Sequence, residues 1–434
     1  MRSRKRALFL IENISFTFDP RSRAEVETLV NNGWKVSVIC PKAKGEKYFS
    51  IDGGAFVYRY PKPEFSSGKF NYFIEYPVAL VFTFFWSLYV LLRRGFKIIH
   101  ARNPPDLFFV IGWFYKLFGK RFIYDQHDVC PELYRSRFEN PSKKISKLLQ
   151  RLEKIQVCTA DCILTVNDSL KERMHKFHSS SKGKVLVVRN PAAPVSMRVA
   201  DRKKREFRDN GIFTVGYIGM MNPQDGVELI VKSADYLINR KGREDLRFVL
   251  VGDGASRCKV EELAKSLGLG EKITFRGYLA GDSFVEALES FDIGVQPDPK
   301  NEMNDYISSC KAMDYMTAGI PVVAFDLLET RRMCGSAALY ANPNEVQSLG
   351  EQIERLLGEL RLYRQFLEKH DIDLEDSRII NLSIDAWKRL NLARAKHILQ
   401  HPGGDGSINE TIIALLAERY DHECQDRDLV TGSV

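Results

Sequence analysis

The sequence contains little cysteine for its length, and this scarcity excludes one broad class of protein. Eight cysteines among 434 residues lie far below the density of a disulfide-stabilised scaffold. Cys158 and Cys162 are four residues apart, but no second cysteine or histidine pair with ligand spacing accompanies them. The sequence therefore predicts buried free thiols, a reducing compartment and no structural zinc.

The patterns of a secretory leader and of a nucleic-acid-binding surface are also missing. The apolar stretch near the N-terminus, Ala7 to Ile11, has five residues before Glu12, which is too short for a signal peptide and predicts a first strand. The net charge of +8 is spread along the chain, and the basic stretch Ser196 to Asn210 has no interleaved aromatic residues. We expect that stretch to be a solvated linker and expect no nucleic-acid partner. The charge permits an anionic ligand or a membrane surface.

Long apolar runs are scarce, with one exception. Phe73 to Leu92 is 20 residues long with a single charge, Glu75, and one proline, and Arg93-Arg94 follows it. Three interpretations are ranked: a core helix first, a helix docked in a membrane interface second, and a transmembrane span third. The strand-like segments on both sides favour the first.

The rest of the chain alternates strand-like and helix-like patterns, which is typical of parallel α/β sheets. A chain of this length exceeds what one core usually serves, and 28% charged residues is typical of globular proteins. The sequence predicts two Rossmann-like doubly wound domains, at residues 1–195 and 196–378, then a helix at 379–400 that crosses back to the first domain and a polar tail at 401–434. The predicted strands are Ala7–Ile11, Lys35–Cys40, Lys97–His100, Arg121–Asp125, Cys162–Val166, Lys184–Val188, Phe213–Ile218, Phe248–Val251, Ile273–Phe275, Ile293–Gln296, Val322–Phe325 and Ala338–Tyr340.

One stretch, Asn304 to Asp326, combines a polar loop, a short helix and a buried strand. A loop that leads into the N-terminus of a helix (Cys310 to Thr317) presents free backbone N–H groups and the positive end of the helix dipole, which favour anions. Lys311 adds a cation for phosphate, and Asp314 on nearly the same face offers a carboxylate for sugar hydroxyls. A nucleotide-linked ligand would suit this pair. On this stretch alone, an ordinary loop, helix and strand is the favoured interpretation.

Ligands of such sheets bind beyond the carboxyl ends of the strands. The predicted cleft therefore lies among the loops after Asp125, Ile218, Val251 and Gln296. These loops carry motifs that, in order and spacing, resemble the retaining GT-B glycosyltransferases of family four, over roughly residues 7 to 395. The motifs of the second half are Phe213-Thr-Val-Gly-Tyr-Ile-Gly219, Val251-Gly-Asp-Gly254, Ile273-Thr-Phe-Arg-Gly277 and Lys311-Ala-Met-Asp-Tyr-Met-Thr-Ala-Gly-Ile-Pro-Val-Val323.

The first half agrees with this resemblance. Its segments Asp19 to Glu25 and Gly33 to Val36 look like the first helix and second strand of that family. Three further motifs resemble bacterial members that build surface polysaccharides: Pro104-Pro-Asp106, Tyr124-Asp-Gln-His-Asp128 with Pro131-Glu-Leu-Tyr134, and Asn222-Pro-Gln-Asp-Gly-Val227.

The resemblance implies a GT-B fold and a reaction. A sugar would move from a nucleotide-diphosphate donor, by family frequency a UDP-sugar, to a glycan or lipid-linked acceptor with retention of configuration. The enzyme would act at the cytoplasmic face of a bacterial membrane, with membrane contact through Phe73 to Leu92 and with no cofactor beyond the nucleotide sugar. No metal is expected, and the two Asp-x-Asp triplets, at Asp371 and Asp426, are predicted to be solvated.

The resemblance also implies roles for individual residues. The catalytic candidates are His127, which matches the histidine near the anomeric carbon, with Asp128 and Lys311; Glu132 is a further candidate to hold His127 or meet the acceptor. The donor-binding candidates are Gly219, Gly252, Asp253, Gly254, Asp305, Lys311 and Asp314.

Three departures from the family pattern bear on activity. Tyr306 stands where a first glutamate is frequent, and Asp314 replaces the second glutamate. The family's arginine and lysine after the first strand of the second domain fall on Met220 and Asp225. These departures keep two alternatives open, a nucleotide-sugar 2-epimerase or hydrolase on the same fold and a weakly active scaffold of a polysaccharide assembly complex.

Overall fold

The computed structural model describes residues 5–61, 71–138, 140–190 and 211–369, of which 71–74 and 361–369 are described in backbone only. The predicted linker at 196–210, the helix predicted within 379–400 and the tail at 401–434 lie outside the described residues. Within them the chain forms two sheets, each covered by helices on its faces, so the prediction of two α/β domains is confirmed.

The first sheet has eight strands in the order β3-β4-β2-β1-β5-β6-β7-β8, and all neighbours are parallel except β3 and β4. Its strands are β1 (Arg6–Leu10), β2 (Lys35–Lys42), β3 (Phe49–Asp52), β4 (Ala55–Pro61), β5 (Ile98–Arg102), β6 (Arg121–Gln126), β7 (Cys162–Thr165) and β8 (Val185–Val187). Its helices are α1 (Pro20–Asn31), α2 (Asn71–Arg93), α3 (Phe109–Lys116), α4 (Cys130–Arg137), α5 (Lys143–Thr159) and α6 (Asp168–Phe177).

The second sheet has six parallel strands in the order β11-β10-β9-β12-β13-β14. Its strands are β9 (Phe213–Ile218), β10 (Leu246–Val251), β11 (Ile273–Gly277), β12 (Ile293–Gln296), β13 (Val322–Phe325) and β14 (Ala338–Ala341). Its helices are α7 (Val227–Asp235), α8 (Arg257–Ser266), α9 (Asp282–Glu289), α10 (Cys310–Thr317), α11 (Leu328–Cys334) and α12 (Val346–Lys369). The strand order reverses direction at β9, and this switch point is where ligands of such sheets bind.

Local chemistry explains how the first crossover begins. Pro20 occupies the first turn of α1, where its missing N–H costs no hydrogen bond. The Asp19 carboxylate accepts the backbone N–H of Ser22 and so caps the helix. After β9, the chain passes from α7 directly into one π-helical turn at Tyr236–Arg240.

The long apolar run forms α2, which is buried along one side only. Ala79, Thr83, Ser87 and Val90 recur at helical spacing on the buried side, which packs on β2 and β4. The segment Glu75–Arg93 is long and apolar enough to cross a membrane by length and composition, and 22% of it is buried. The prediction of a core helix is therefore correct for one face of α2 and incomplete for the other.

The seven cysteines among the described residues are free thiols, as predicted, but they are not uniformly buried. Cys40 and Cys334 lie in the interior, whereas Cys158, Cys258 and Cys310 are exposed. Cys158 and Cys162 are not joined by a disulfide, and the Cys158 sulfur lies 3.3 Å from the hydroxyl of Ser180.

Candidate functional site

The loops at the carboxyl ends of the strands bring the two domains together. Met303, from the loop after β12, packs with Val129, Val166 and Leu170 of the first domain in one apolar cluster. Asn167, which follows β7, donates to the backbone oxygen of Tyr306 at 2.8 Å and to the Ser308 hydroxyl at 2.9 Å. The two sets of loops around which the sequence predicts a cleft are therefore in contact with each other at this point.

Tyr306 faces this interdomain cluster, and Asp305 is occupied elsewhere. The ring of Tyr306 packs against the apolar cluster that contains Met303. The Asp305 carboxylate accepts the backbone N–H of Leu328 at 3.2 Å, at the start of α11. The position where the family often has a glutamate thus serves contact between the domains here, while its neighbour caps a helix.

Lys311 lies in the first turn of α10 and is held between two carboxylates. Its Nζ is 2.7 Å from Asp298 and 3.3 Å from Asp225, and it lies 5.7 Å from the centre of the Tyr217 ring. Burial opposes the charged form, but Asp298, Tyr217 and Asp225 together raise the pKa of Lys311 well above its ordinary value. Lys311 is therefore a cation whose charge is balanced inside the protein.

The three predicted donor-site glycines are required by packing between loops. A side chain at Gly219 would meet Cε of Lys311 at 2.6 Å, and φ at this residue is +143°. A side chain at Gly252 would meet the backbone oxygen of Gly219 at 1.7 Å, and one at Gly254 would meet the backbone of Met221 at 2.5 Å. The loops after β9 and β10 thus lie directly on one another, beside Lys311.

The two acidic donor-site candidates lie in different settings. Asp314 lies in α10 and is buried, one turn from Lys311. Asp253 is exposed; its carboxylate accepts the N–H of Gly254 at 2.8 Å and lies 3.6 Å from Arg257. Asp314 is thus placed beside the N-terminal turn of α10, whereas Asp253 shapes the loop after β10.

His127 lies at the end of a buried chain of alternating imidazole and carboxylate groups. Its Nε2 is 2.7 Å from Asp125, whose carboxylate also lies 3.1 Å from Nε2 of His100. His100 lies 3.5 Å from Glu25, and Arg21 contacts both carboxylates, at 3.0 Å for Glu25 and 3.1 Å for Asp125. The oxygen atoms and the His100 nitrogen are close enough to hold a metal ion, but Arg21 already neutralises them.

The charge states along this chain follow from burial and from the shared aspartate. Burial lowers the pKa of His127 to about 4, although Asp125 opposes the shift. The two histidines hold the pKa of Asp125 well below its usual value despite burial, and the carboxylates raise the pKa of His100 despite burial. His127 is consequently neutral at neutral pH and can offer one ring nitrogen to a ligand.

The backbone that carries His127 is fixed by Asn103. The Asn103 side-chain oxygen accepts the backbone N–H of His127 at 2.7 Å and that of Asp128 at 3.2 Å, and its nitrogen donates to the backbone oxygen of Asp128. Burial raises the pKa of the Asp128 carboxyl above its ordinary value, although the charge of Arg102 opposes this shift. Glu132, in contrast, has both carboxylate oxygens 2.7 Å from Arg173, so it binds within the first domain.

Arg102 connects the two halves of the site. It ion-pairs with Asp19, and its charge acts on Asp128 in the first domain and on Cys310 at the start of α10. Asn190 also approaches the Cys310 sulfur, at 4.0 Å. Arg102 therefore lies within electrostatic range of Asp128 beside His127 and of Cys310 at the start of α10.

Several of these residues have no signal in the sequence. Glu25, His100 and Arg21 come from elements far apart in the chain, and their role depends on the order of strands in the sheet. Asp298 was detectable in part, because it lies in a Pro-Asp-Pro loop directly after β12. Its partner, Lys311, is 13 residues away.

Two Rossmann-like domains whose strand ends meet at a shared cleft define the GT-B architecture. Residues 23–194 match the family model described as Glycosyltransferase Family 4, and residues 212–359 match the model described as Glycosyl transferases group 1. Together the two matches support membership of the GT4 group of GT-B glycosyltransferases.

Known proteins agree at the level of fold and class. The chain is 27% identical to the alpha-D-kanosaminyltransferase of Streptomyces kanamyceticus over 178 residues, 41% of this chain and 44% of that protein. The chain spans less than half the length of the first curated relatives it matches. Sucrose-phosphate synthase of Thermosynechococcus elongatus has a TM-score of 0.64 at 16% identity, over 94% of this chain and all of that one. An Anabaena protein solved with UDP has a TM-score of 0.55 at 13% identity, over 95% and 100%.

Proposed function

We propose that the chain is a metal-independent glycosyltransferase that moves a sugar from a UDP-sugar to an acceptor hydroxyl with retention of configuration. The observation that carries the proposal is the contact of Asn167, at the strand ends of the first domain, with the loop that leads into α10, the helix that holds Lys311 and Asp314. Matches to glycosyltransferase families in both halves of the chain support it. The Anabaena protein of the same fold, which was solved with UDP, supports the choice of uracil as the base of the donor nucleotide.

The donor would bind to the second domain. Backbone N–H groups and the helix dipole at the start of α10 favour the diphosphate, and the glycine loops after β9 and β10 let the backbone approach it. Asp225 and Asp298 balance the charge of Lys311. This lysine would therefore hold the surrounding loops in position and would add little net positive charge to the site. Asp314 would accept hydrogen bonds from the two ribose hydroxyls.

The acceptor and the reacting carbon would lie on the first-domain side. The bond between the anomeric carbon and the diphosphate oxygen breaks, the acceptor oxygen bonds to that carbon, and the departing diphosphate takes the acceptor proton. Neutral His127 would contact the donor sugar near the anomeric carbon, and Asp128 would meet an acceptor hydroxyl. Asp125 and Asn103 fix the orientation of His127.

We further propose that the acceptor is a glycan or lipid-linked glycan and that the enzyme contributes to bacterial surface polysaccharide at the cytoplasmic side of the membrane. The motifs shared with bacterial polysaccharide enzymes and the exposed apolar side of α2 support this assignment. The nucleotide sugar is the co-substrate, and no other cofactor is expected.

A thermal-shift screen across nucleoside diphosphates and nucleotide sugars tests the function. A ligand at a hundredfold excess over its dissociation constant stabilises the folded state by about 2.7 kcal/mol, so UDP and one UDP-sugar should raise the melting temperature. Chromatography of the donor alone then separates the alternatives, because an epimerase or hydrolase releases epimer or free sugar without acceptor. No shift with any nucleotide would overturn the proposal.

The ribose role of Asp314 has its own prediction. Asp314→Glu, which restores the family's carboxylate reach, should tighten UDP binding by about threefold, whereas Asp314→Asn should weaken it by about tenfold. Isothermal titration with UDP measures both. Glu262→Gln is the control, because this exposed carboxylate lies within α8 and outside the loops of the site. Equal affinity of both Asp314 variants and wild type would remove Asp314 from the site.

A further inference from the structure

One outer face of the first domain is formed by three helices in a single layer. The crossovers from β4 to β5, from β5 to β6 and from β6 to β7 run in the same direction across the sheet, so α2, α3 and α5 cover the same side. The rings of Phe84 and Phe114 join α2 to α3 with centres 5.1 Å apart. Gln156 of α5 accepts the backbone N–H of Phe109 at the start of α3.

The outward side of α2 and α3 is apolar. On α2, Val81, Phe85 and Leu92 are exposed at helical spacing, and on α3 and its end the same holds for Trp113 and Leu117. Leu92 is 85% exposed and Leu117 is 83% exposed, so neither contributes to the described core. Contiguous apolar side chains of this size on a folded surface indicate a contact with something else.

The same layer carries a large excess of positive charge. Residues 76–97 and 107–121, which include most of α2, all of α3 and the turns after them, contain six lysines and arginines and no acidic residue. On α5 the only acidic residue, Glu153, is buried and paired with Arg173. The exposed cations of α5 are Lys143, Lys144, Lys147, Arg151 and Lys154.

We propose that the outer layer of α2, α3 and α5 docks on the surface of an anionic lipid bilayer. The apolar side chains of α2 and α3 would enter the interface between headgroups and acyl chains, and the cations of α5 would lie over the lipid phosphates. Because its other side is packed on β2 and β4, α2 lies along the membrane. A second copy of the chain would bring the same positive charges to the contact, so charge favours the bilayer as occupant.

This inference rests on the proposed function only for its biological use, since docking requires no turnover. The test is co-sedimentation of the full chain with vesicles of phosphatidylcholine alone and of phosphatidylcholine with phosphatidylglycerol. We expect binding to the anionic vesicles that weakens with added salt, and at least tenfold weaker binding to the neutral ones. Absence of binding to anionic vesicles overturns the proposal.

Two pairs of variants identify the surface. Leu92→Glu with Leu117→Glu should weaken binding at least tenfold, whereas Tyr278→Glu, an exposed apolar residue of the second domain, should not. Lys147→Glu with Arg151→Glu should reduce anionic binding about tenfold, whereas Lys259→Glu with Lys265→Glu on α8 is the matched control. Equal binding by surface variants and controls would overturn the assignment.

Two further measurements separate the remaining outcomes. If the apolar face joined two copies, light scattering would show a dimer that the Leu92 and Leu117 variant dissociates, and the bilayer assignment would be wrong. The UDP thermal shift of every variant is recorded in parallel. Vesicle binding without a UDP shift would reject the donor proposal alone, and a UDP shift without vesicle binding would reject the docking surface alone.

Discussion

Lys311 shows how a single residue can have one role in a motif and another in a structure. The motif indicates a phosphate-binding cation, but the side chain lies between Asp298 and Asp225 with little access to solvent. The positive charge of Lys311 balances these two carboxylates even when no ligand is bound. Substitution should therefore affect folding as well as donor binding.

We expect Lys311→Met to lower the free energy of unfolding by about 3 kcal/mol, because it leaves two nearly buried carboxylates without their cation. Urea denaturation followed by fluorescence measures the loss. Lys265→Met, on the exposed side of α8, is the control and should change stability by less than about 0.5 kcal/mol. A similar small change for Lys311→Met would mean that the ion pairs contribute nothing to stability.

The low pKa of His127 predicts how stability depends on pH. A folded pKa of about 4, against the ordinary 6.5, means that the unfolded chain binds a proton at this residue that the folded chain does not. This contribution is complete above pH 6.5 and is lost as the pH falls from 6.5 towards 4. Between pH 7 and pH 4 wild type should lose up to about 3 kcal/mol more than His127→Gln.

Denaturation of both proteins at several pH values measures this difference. Parallel curves for wild type and His127→Gln would show that the imidazole is not held neutral by burial. His100, whose pKa is raised, contributes in the opposite sense, since its stabilisation is lost as the pH rises above 6.5. Because His100 shares Asp125 with His127, the comparison reports the His127 imidazole together with its effect on that carboxylate.

At the scale of elements, the strands could be predicted and the contacts between loops could not. Buried parallel strands are short apolar runs, so β1, β9 and β13 were visible in the sequence. The hairpin of β3 and β4 was missed, because β3 is a four-residue edge strand whose Phe49 and Ile51 face solvent, and β4 contains Arg59, whose charge Glu46 balances in the interior. The helices α4 to α6 were also not predicted; α4 is short and polar, and its buried Glu132 is paired to Arg173 on α6.

The stacked loops after β9 and β10 give an element-scale prediction. Gly219→Ala places a Cβ against Lys311 Cε at 2.6 Å, in a backbone conformation that alanine rarely adopts. We expect a loss of about 2 kcal/mol in unfolding free energy and weaker UDP binding. Gly270→Ala is the control, because open space surrounds it and its φ is not positive. If Gly219→Ala had the same unfolding free energy and the same UDP affinity as wild type, the loops could separate at little cost in free energy.

At the scale of the whole molecule, Met303 and Tyr306 connect the first domain to α10, the helix that carries Lys311 and Asp314. The segment that contains them leads directly into α10 and packs against the first domain. Sequence comparison identified Tyr306 only as a departure, because its partners Val166 and Leu170 are far away in the chain. Opening of the cleft would have to break this cluster.

Met303→Asp should therefore favour an open arrangement, since it puts a charge into an apolar cluster. We expect a larger radius of gyration in solution scattering, and turnover at least tenfold lower with donor affinity within about twofold of wild type. Tyr278→Asp, which is exposed on the second domain, is the control. Equal scattering curves for Met303→Asp and wild type would show that the cluster does not hold the cleft closed.

The exposed thiols have a practical consequence. Cys158 lies on α5 of the first domain and Cys258 lies on α8 of the second, so each domain carries a native attachment point for a fluorophore. After replacement of Cys310 and Cys424 by serine, Cys158 and Cys258 would report interdomain distance by energy transfer. Energy transfer between these two native positions would thus follow cleft closure in real time, with donor, acceptor or vesicles added in turn.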